Sequence, residues 1–292
     1  DRAAVSILQD AFARGELAPG ATVVESSSGN MGIGLALTCA YLGLRFICVV
    51  DPRTTWQNIR ILEAYGAKVD IVTEPDPVTG EFLQARINRV RELVLTEENC
   101  FWPNQYANPG NAQAHYRTTM RELDAALGGE IDYLFCATST CGTIRGCAEY
   151  VRDHLLPTKI VAVDAVGSVI FGGPKAKRLL PGHGAGIAPP LWRRELVDEF
   201  VQVTDLECVV GCRRLVRYEG ILVGGSSGGG FSALDRLKTE LPEGSTCVLI
   251  FPDRGERYLD TIYSDEWVSE NFGDVAHLWE TAEMQPCMTA TY

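Results

Sequence analysis

Ala21-Thr22-Val23-Val24-Glu25-Ser26-Ser27-Ser28-Gly29-Asn30-Met31-Gly32 is the stretch on which the reading of this sequence turns. Residues 21–24 read as a strand, and residues 33–42 continue at helical spacing. Between them lies a turn of small polar residues. A strand, a tight turn and a helix start leave backbone N–H groups unpaired and aim the positive end of the helix dipole at the same point. Three serine hydroxyls and the Asn30 amide add further donors. The combination suits a carboxylate held close to the backbone. A plain polar turn ahead of a helix has the same composition, so the stretch has to be weighed in its context.

Working outward, strands are predicted at 44–50, 68–72, 100–103, 132–138, 159–164, 201–204 and 245–251. Helices are predicted at 1–15, 54–65, 82–95, 112–127, 143–155, 206–218 and 231–241. The helix at 54–65 has Thr54 or Thr55 as its cap and Gly66 as its stop. Continuous apolar strands alternating with helices imply mostly parallel sheets covered on both faces, an α/β fold of two three-layer α/β/α units. Residues 104–111, rich in Asn, Pro and Gly, mark a domain boundary. The expected domains are a smaller one at 1–111, its own start lying upstream of Asp1, and a larger one at 112–292.

The net charge of −12 over 292 residues, with no basic cluster, excludes a nucleic-acid partner. An anionic substrate would therefore need donors supplied locally. The longest apolar run, 31–44, is broken by glycines and falls short of the ~20 residues of a membrane span. No secretory signal is visible. Of the ten cysteines, Cys48, Cys136 and Cys247 sit in strand-like runs and Cys39 in a helix. Cys208 and Cys212 are one helical turn apart with no nearby histidine, and no CxxC pair occurs. Reduced, buried thiols, no metal and a cytoplasmic location are the expectation.

Three small-residue turns fall at strand ends, where α/β sheets bind ligands: 27–30, 139–143 and 224–228. Ser139-Thr140-Cys141-Gly142-Thr143 offers hydroxyls and backbone donors without a lysine, so it is not a Walker loop. It suits a phosphate dianion, or serves as an ordinary helix cap. Gly225-Ser226-Ser227-Gly228-Gly229 also fits the nucleophile-elbow pattern, with Ser227 as nucleophile, Asp253 or Asp260 as acid and His277 as base. A Gly/Ser turn is the alternative there, and no second element of a hydrolase is visible.

Taken in order, six stretches resemble one family from end to end: Ser27-Ser28-Gly29-Asn30, Gln105-Tyr106-Ala107-Asn108-Pro109, residues 139–143, Pro181-Gly182-His183-Gly184-Ala185-Gly186, Gly225-Ser226-Ser227-Gly228 and residues 252–259. The chain resembles the fold type II (β-family) pyridoxal-phosphate enzymes of the cysteine synthase and cystathionine β-synthase kind. The resemblance implies pyridoxal 5'-phosphate in a cleft between the two units, and a homodimer. It places Asn30 on the cofactor's phenolic oxygen, Ser139, Thr140, Cys141, Gly142 and Thr143 around its phosphate, and Ser226 at its pyridine nitrogen. Ser27, Ser28, Gly29, Met31 and Gln105 would surround the substrate, with Ser27, Ser28 and Gln105 on its α-carboxylate. In this family Asp-Arg follows the lysine that carries the cofactor, and Asp1-Arg2 resemble that pair. That lysine is therefore expected immediately before Asp1, and no catalytic residue is expected among the 292. Lys68, Lys159, Lys175, Lys177 and Lys238 lack that context.

Departures from the cysteine synthase pattern narrow the resemblance. Met31 stands where Thr is usual, the phosphate turn is poor in glycine, and Tyr106 follows Gln105 in place of Phe. With residues 164–172, these resemble the subfamily that joins O-phospho-L-serine to L-glutamate through an aminoacrylate. Its product, N-(2-amino-2-carboxyethyl)-L-glutamate, leads to 2,3-diaminopropionate for siderophores or peptide antibiotics. Arg86 is then the candidate clamp for glutamate or phosphate, assisted by Tyr106 and Ser139. By spacing alone Arg86 reads as a solvated helix-face arginine. O-acetylserine or O-phosphoserine sulfhydrylase activity is the other reading.

Overall fold

The computed structural model of the chain describes residues 1–280. After α1 (Arg2–Ala13) comes a strictly parallel sheet of β1 (Thr22–Ser26), β2 (Arg45–Val50), β3 (Lys68–Ile71) and β4 (Cys100–Phe101) in the order β3-β2-β1-β4. The connections are α2 (Asn30–Leu42), α3 (Trp56–Ala64) and α4 (Phe82–Thr96). A helical segment follows, α5 (Pro109–Ala114), a π-helical stretch His115–Met120 and α6 (Arg121–Leu127). A second parallel sheet then repeats the pattern as β7-β6-β5-β8: β5 (Tyr133–Ala137), β6 (Lys159–Ala165), β7 (Glu199–Val203) and β8 (Cys247–Leu249). Its helices are α7 (Gly142–Asp153), α8 (Asp205–Glu219) and α9 (Gly225–Leu237), with α10 (Asp265–Phe272) and α11 (His277–Glu280) after the last strand.

The topology follows from the apolar pattern. On β2, Phe46, Cys48 and Val50 pack with Ala4, Leu8, Leu35 and Leu62. The alternate residues Ile47 and Val49 pack with Val90 and Leu93 of α4. Both faces are covered, which is why the strand reads as an unbroken apolar run. In each sheet the chain steps outward from an inner strand and then returns to that strand's other side. This leaves a switch point at the carboxyl ends of β1 and β4, and another at β5 and β8.

Two predicted elements change. Residues 225–230, read as a turn, are the first turns of α9. A Cβ at Gly211 would lie 2.1 Å from the Gly228 carbonyl oxygen, and one at Gly228 only 2.2 Å from that of Cys208. These glycines let the backbones of α8 and α9 touch; they do not make a turn. The predicted helix 112–127 is interrupted by the π-helical stretch. The nine described cysteines are unpaired and mostly buried, and Cys287 lies outside the described residues. No helix among the described residues is long and apolar enough to cross a membrane.

Candidate active site

A cleft of about 1730 Å³ opens where the two switch points meet, and all fourteen residues that the resemblance assigns to cofactor and substrate line it. The elbow reading fails against this geometry. Ser227 is fully buried, its hydroxyl has no hydrogen-bond partner, and neither it nor Asp253, Asp260 or His277 lines the cleft. Its neighbour Ser226 does line it.

The first wall is built from β1. Ser27 Oγ accepts the Gly32 N–H at 2.9 Å and lies 3.4 Å from the Gly29 nitrogen, so its oxygen caps α2 while its hydrogen stays available. The Ser28 carbonyl is pinned by Asn58 Nδ2 at 2.9 Å, fixing the turn between them. Gln105 follows β4, its Nε2 donating to the Ser26 carbonyl at 2.8 Å, and Tyr106 Oη donates to the same oxygen at 3.4 Å. Gln105 thus braces the end of β1 and presents only what that bond leaves. The Asn30 amide reaches the segment after β8: Nδ2 donates to Asp253 Oδ2 at 3.1 Å and Oδ1 accepts from Arg257.

Beneath this wall lies a group no motif signalled. Glu25 is fully buried on β1, with Oε1 accepting from Ser26 N (2.8 Å) and Trp102 Nε1 (3.2 Å) and Oε2 from Gln105 N (2.9 Å). Burial pushes its pKa up to about 7, against the pull of those donors and of Arg86. A charged residue amid an all-buried strand was its only sequence signal.

Arg86 corrects its spacing-based reading. It is 7 % exposed rather than solvated, and its Nε lies 3.2 Å from the buried Asp51 carboxylate. Its Nε and Nη1 lack a well-formed hydrogen bond, which leaves a buried guanidinium under-satisfied at the cleft wall. Asp51 also pairs with Arg53 at 3.4 Å.

The second wall begins at β5. Cys141 caps α7 in the left-handed region (φ 64°) and makes no side-chain cap bond, so the first N–H groups of α7 have no intrahelical acceptor. A left-handed residue flanked by such amides forms an anion-binding nest. Asn111 fills the space behind the nest: a Cβ at Gly142 would fall 2.1 Å from its Oδ1. Asn111 Nδ2 donates to Gln105 O (2.9 Å) and Thr140 Oγ1 (3.3 Å), tying the two walls together. Backbone amides, the hydroxyls of Ser139, Thr140 and Thr143, and the start of α7 make a donor set that fits a phosphate dianion.

The cleft as a whole inverts the charge of the protein. Arg2, Arg53, Arg86, Arg91, Lys175, Lys177 and Arg178 line it against three carboxylates, Asp1, Asp51 and Glu81, in a chain of net charge −12.

Comparisons with known proteins agree on a family. The profile described as "Pyridoxal-phosphate dependent enzyme" matches residues 1–253. The chain belongs to that family. It is 44 % identical over 269 residues to an N-(2-amino-2-carboxyethyl)-L-glutamate synthase of Ralstonia nicotianae, covering 92 % of this chain and 79 % of that one. Among solved structures, it is similar to the O-acetylserine dependent cystathionine β-synthase of Helicobacter pylori (TM-score 0.83, 30 % identity, 90 % of this chain and 85 % of that one). It is equally similar to an O-ureido-L-serine synthase (TM-score 0.83, 29 % identity, 92 % and 86 %). The fold is therefore that of the fold type II pyridoxal-phosphate enzymes, and the protein is a pyridoxal-phosphate dependent enzyme of β-replacement.

Proposed function

We propose that the enzyme joins O-phospho-L-serine and L-glutamate into N-(2-amino-2-carboxyethyl)-L-glutamate, releasing phosphate, to supply 2,3-diaminopropionate for a siderophore or peptide antibiotic. The observation that supports this most is the cation excess of the cleft. O-Acetylserine and sulfide need one carboxylate contact between them. Phosphoserine brings a phosphate dianion, and glutamate brings two carboxylates.

Bound pyridoxal phosphate supplies an electron sink that labilises the α-proton and the β-substituent of an amino acid. The chain's residues do the rest. The nest at 139–143 would hold the phosphate of the cofactor, and the half-buried Ser226 would meet its ring nitrogen as a neutral hydroxyl. Asn30 would serve the phenolic oxygen with the amide hydrogen that Asp253 leaves free. Ser27 and Ser28 would take the substrate α-carboxylate, with Gly29 and Met31 at the same turn and Gln105 beside them. Arg86, with donors to spare, would clamp a glutamate carboxylate or the leaving phosphate, with Tyr106 and Ser139 adding hydroxyls. Asp1-Arg2 would flank the lysine that carries the cofactor and moves the α-proton. Asp1 lines the cleft and packs against Gly34 of α2, where an added Cβ would meet its Cα at 3.3 Å. A homodimer in the cytoplasm completes the reading.

The test uses full-length protein with pyridoxal phosphate and O-phospho-L-serine, offered L-glutamate or sulfide in parallel. Phosphate release beyond the first turnover should depend on glutamate, with the adduct seen by mass spectrometry. Cysteine from sulfide without a glutamate adduct would establish the sulfhydrylase reading instead.

A further inference from the structure

We propose that His115 is a positioning residue for the cofactor phosphate: as a neutral imidazole it fixes the Thr143 hydroxyl so that its hydrogen is left for a phosphate oxygen. The inference rests on the assignment of residues 139–143 to that phosphate. His115 begins the π-helical stretch and lines the cleft. Its Nε2 lies 3.2 Å from Thr143 Oγ1 and its Nδ1 3.0 Å from Thr119 Oγ1.

Two hydroxyls on two ring nitrogens leave one tautomer that serves an anion. With the proton on Nε2, the ring donates to Thr143 Oγ1 and accepts the Thr119 proton, so the hydrogen of Thr143 stays free. With the proton on Nδ1, Thr143 must donate to the ring and offers a phosphate only lone pairs. An imidazolium would donate to both hydroxyls. Burial, with a smaller push from Arg2, holds the pKa of His115 down to about 4 and keeps the ring neutral.

The spacing of the pair is set by backbone. A Cβ on Gly146, three residues beyond Thr143, would fall 2.0 Å from the Ala112 carbonyl oxygen and 2.9 Å from Tyr116 N. Helix α7 therefore lies directly on the wide turn that carries His115, and a π-turn at such a place is a common functional device. Asn111, from the same segment, reaches Thr140 Oγ1. Both threonine hydroxyls of the nest are thus held from one helical run, as outer ligands orient a bound group elsewhere.

The experiment is a double-mutant cycle on full-length protein freed of cofactor and titrated with pyridoxal 5'-phosphate. Binding is followed by fluorescence, with the ³¹P resonance of the bound phosphate as a second readout. Thr143→Val and His115→Phe should each weaken binding about tenfold, the scale of one hydrogen bond to a charged group. Both should shift the ³¹P resonance in the same direction. The double variant should bind no more weakly than either single one. His115→Gln, whose Nε2 can donate to Thr143, should recover most of the affinity and the native ³¹P position. Additive losses in the double variant, or a His115→Gln protein as weak as His115→Phe, would overturn the proposal while leaving the nest in place. A Thr143→Val protein that binds as tightly as the parent would show that the phosphate assignment itself is wrong.

Discussion

Glu25→Gln tests whether a buried, neutral carboxyl underpins the substrate wall. Three N–H groups converge on the two carboxyl oxygens of Glu25, and even the protonated acid can accept at both. A glutamine keeps one acceptor oxygen and turns an NH₂ toward a donor. One buried N–H is then left unpaired, at a cost of about 1–3 kcal/mol. The pH dependence has a definite sign. Burial raises the pKa of Glu25 from 4.5 to about 7, so the folded protein binds this proton more tightly than the unfolded chain. Its contribution is greatest below pH 4.5 and is lost as the pH rises through 7. At 1.36 kcal/mol per pK unit, about 2.5 kcal/mol disappears between pH 5 and pH 8.5. The glutamine protein lacks that loss. Urea unfolding across this range should find the variant less stable at pH 5 and equal to or more stable than the parent at pH 8.5. If the two stability curves run parallel within about 0.5 kcal/mol, Glu25 is not a carboxyl held neutral by burial, and the reasoning fails.

Three further outcomes are expected. Arg86→Ala should raise the glutamate KM about tenfold or more with a smaller change in kcat. It should also lower stability by about 2 kcal/mol, because the buried Asp51 then loses its buried cationic partner and keeps the Arg53 backbone N–H at 2.9 Å and the exposed Arg53 side chain at 3.4 Å; steady-state kinetics and urea unfolding separate the two effects. Gly142→Ala should abolish pyridoxal phosphate binding in a cofactor titration, since the new methyl collides with Asn111 behind the nest. Leu155→Gly should raise stability by about 1 kcal/mol, read as a higher Tm, because Leu155 follows α7 at φ 55° with its side chain 89 % exposed.

What the sequence made legible was whatever depends on local order. The strand–turn–helix of β1 and α2, the parallel sheets and the Ser139–Thr143 loop all follow from apolar period and turn composition. Gly225–Gly230 misled because a glycine run has the same composition whether it frees a turn or lets two helices touch. Arg86 at helix spacing looked solvated because its burial comes from Asp51, 35 residues earlier on another element. Glu25, Asn111 and His115 also act through distant partners, Gln105, Thr140 and Thr143, and no short window of sequence contains both members of such a pair.

The glycine contact between α8 and α9 bears on how such an enzyme diversifies. Neither Gly211 nor Gly228 can accept even a methyl group, so the helix that presents Ser226 is welded to its neighbour. Asn111 closes off Gly142 in the same way. The grip on the cofactor is thereby frozen by backbone crowding. New substrate preferences have to arise on the opposite wall, where Met31, Arg86 and Tyr106 are side chains that can be exchanged one at a time.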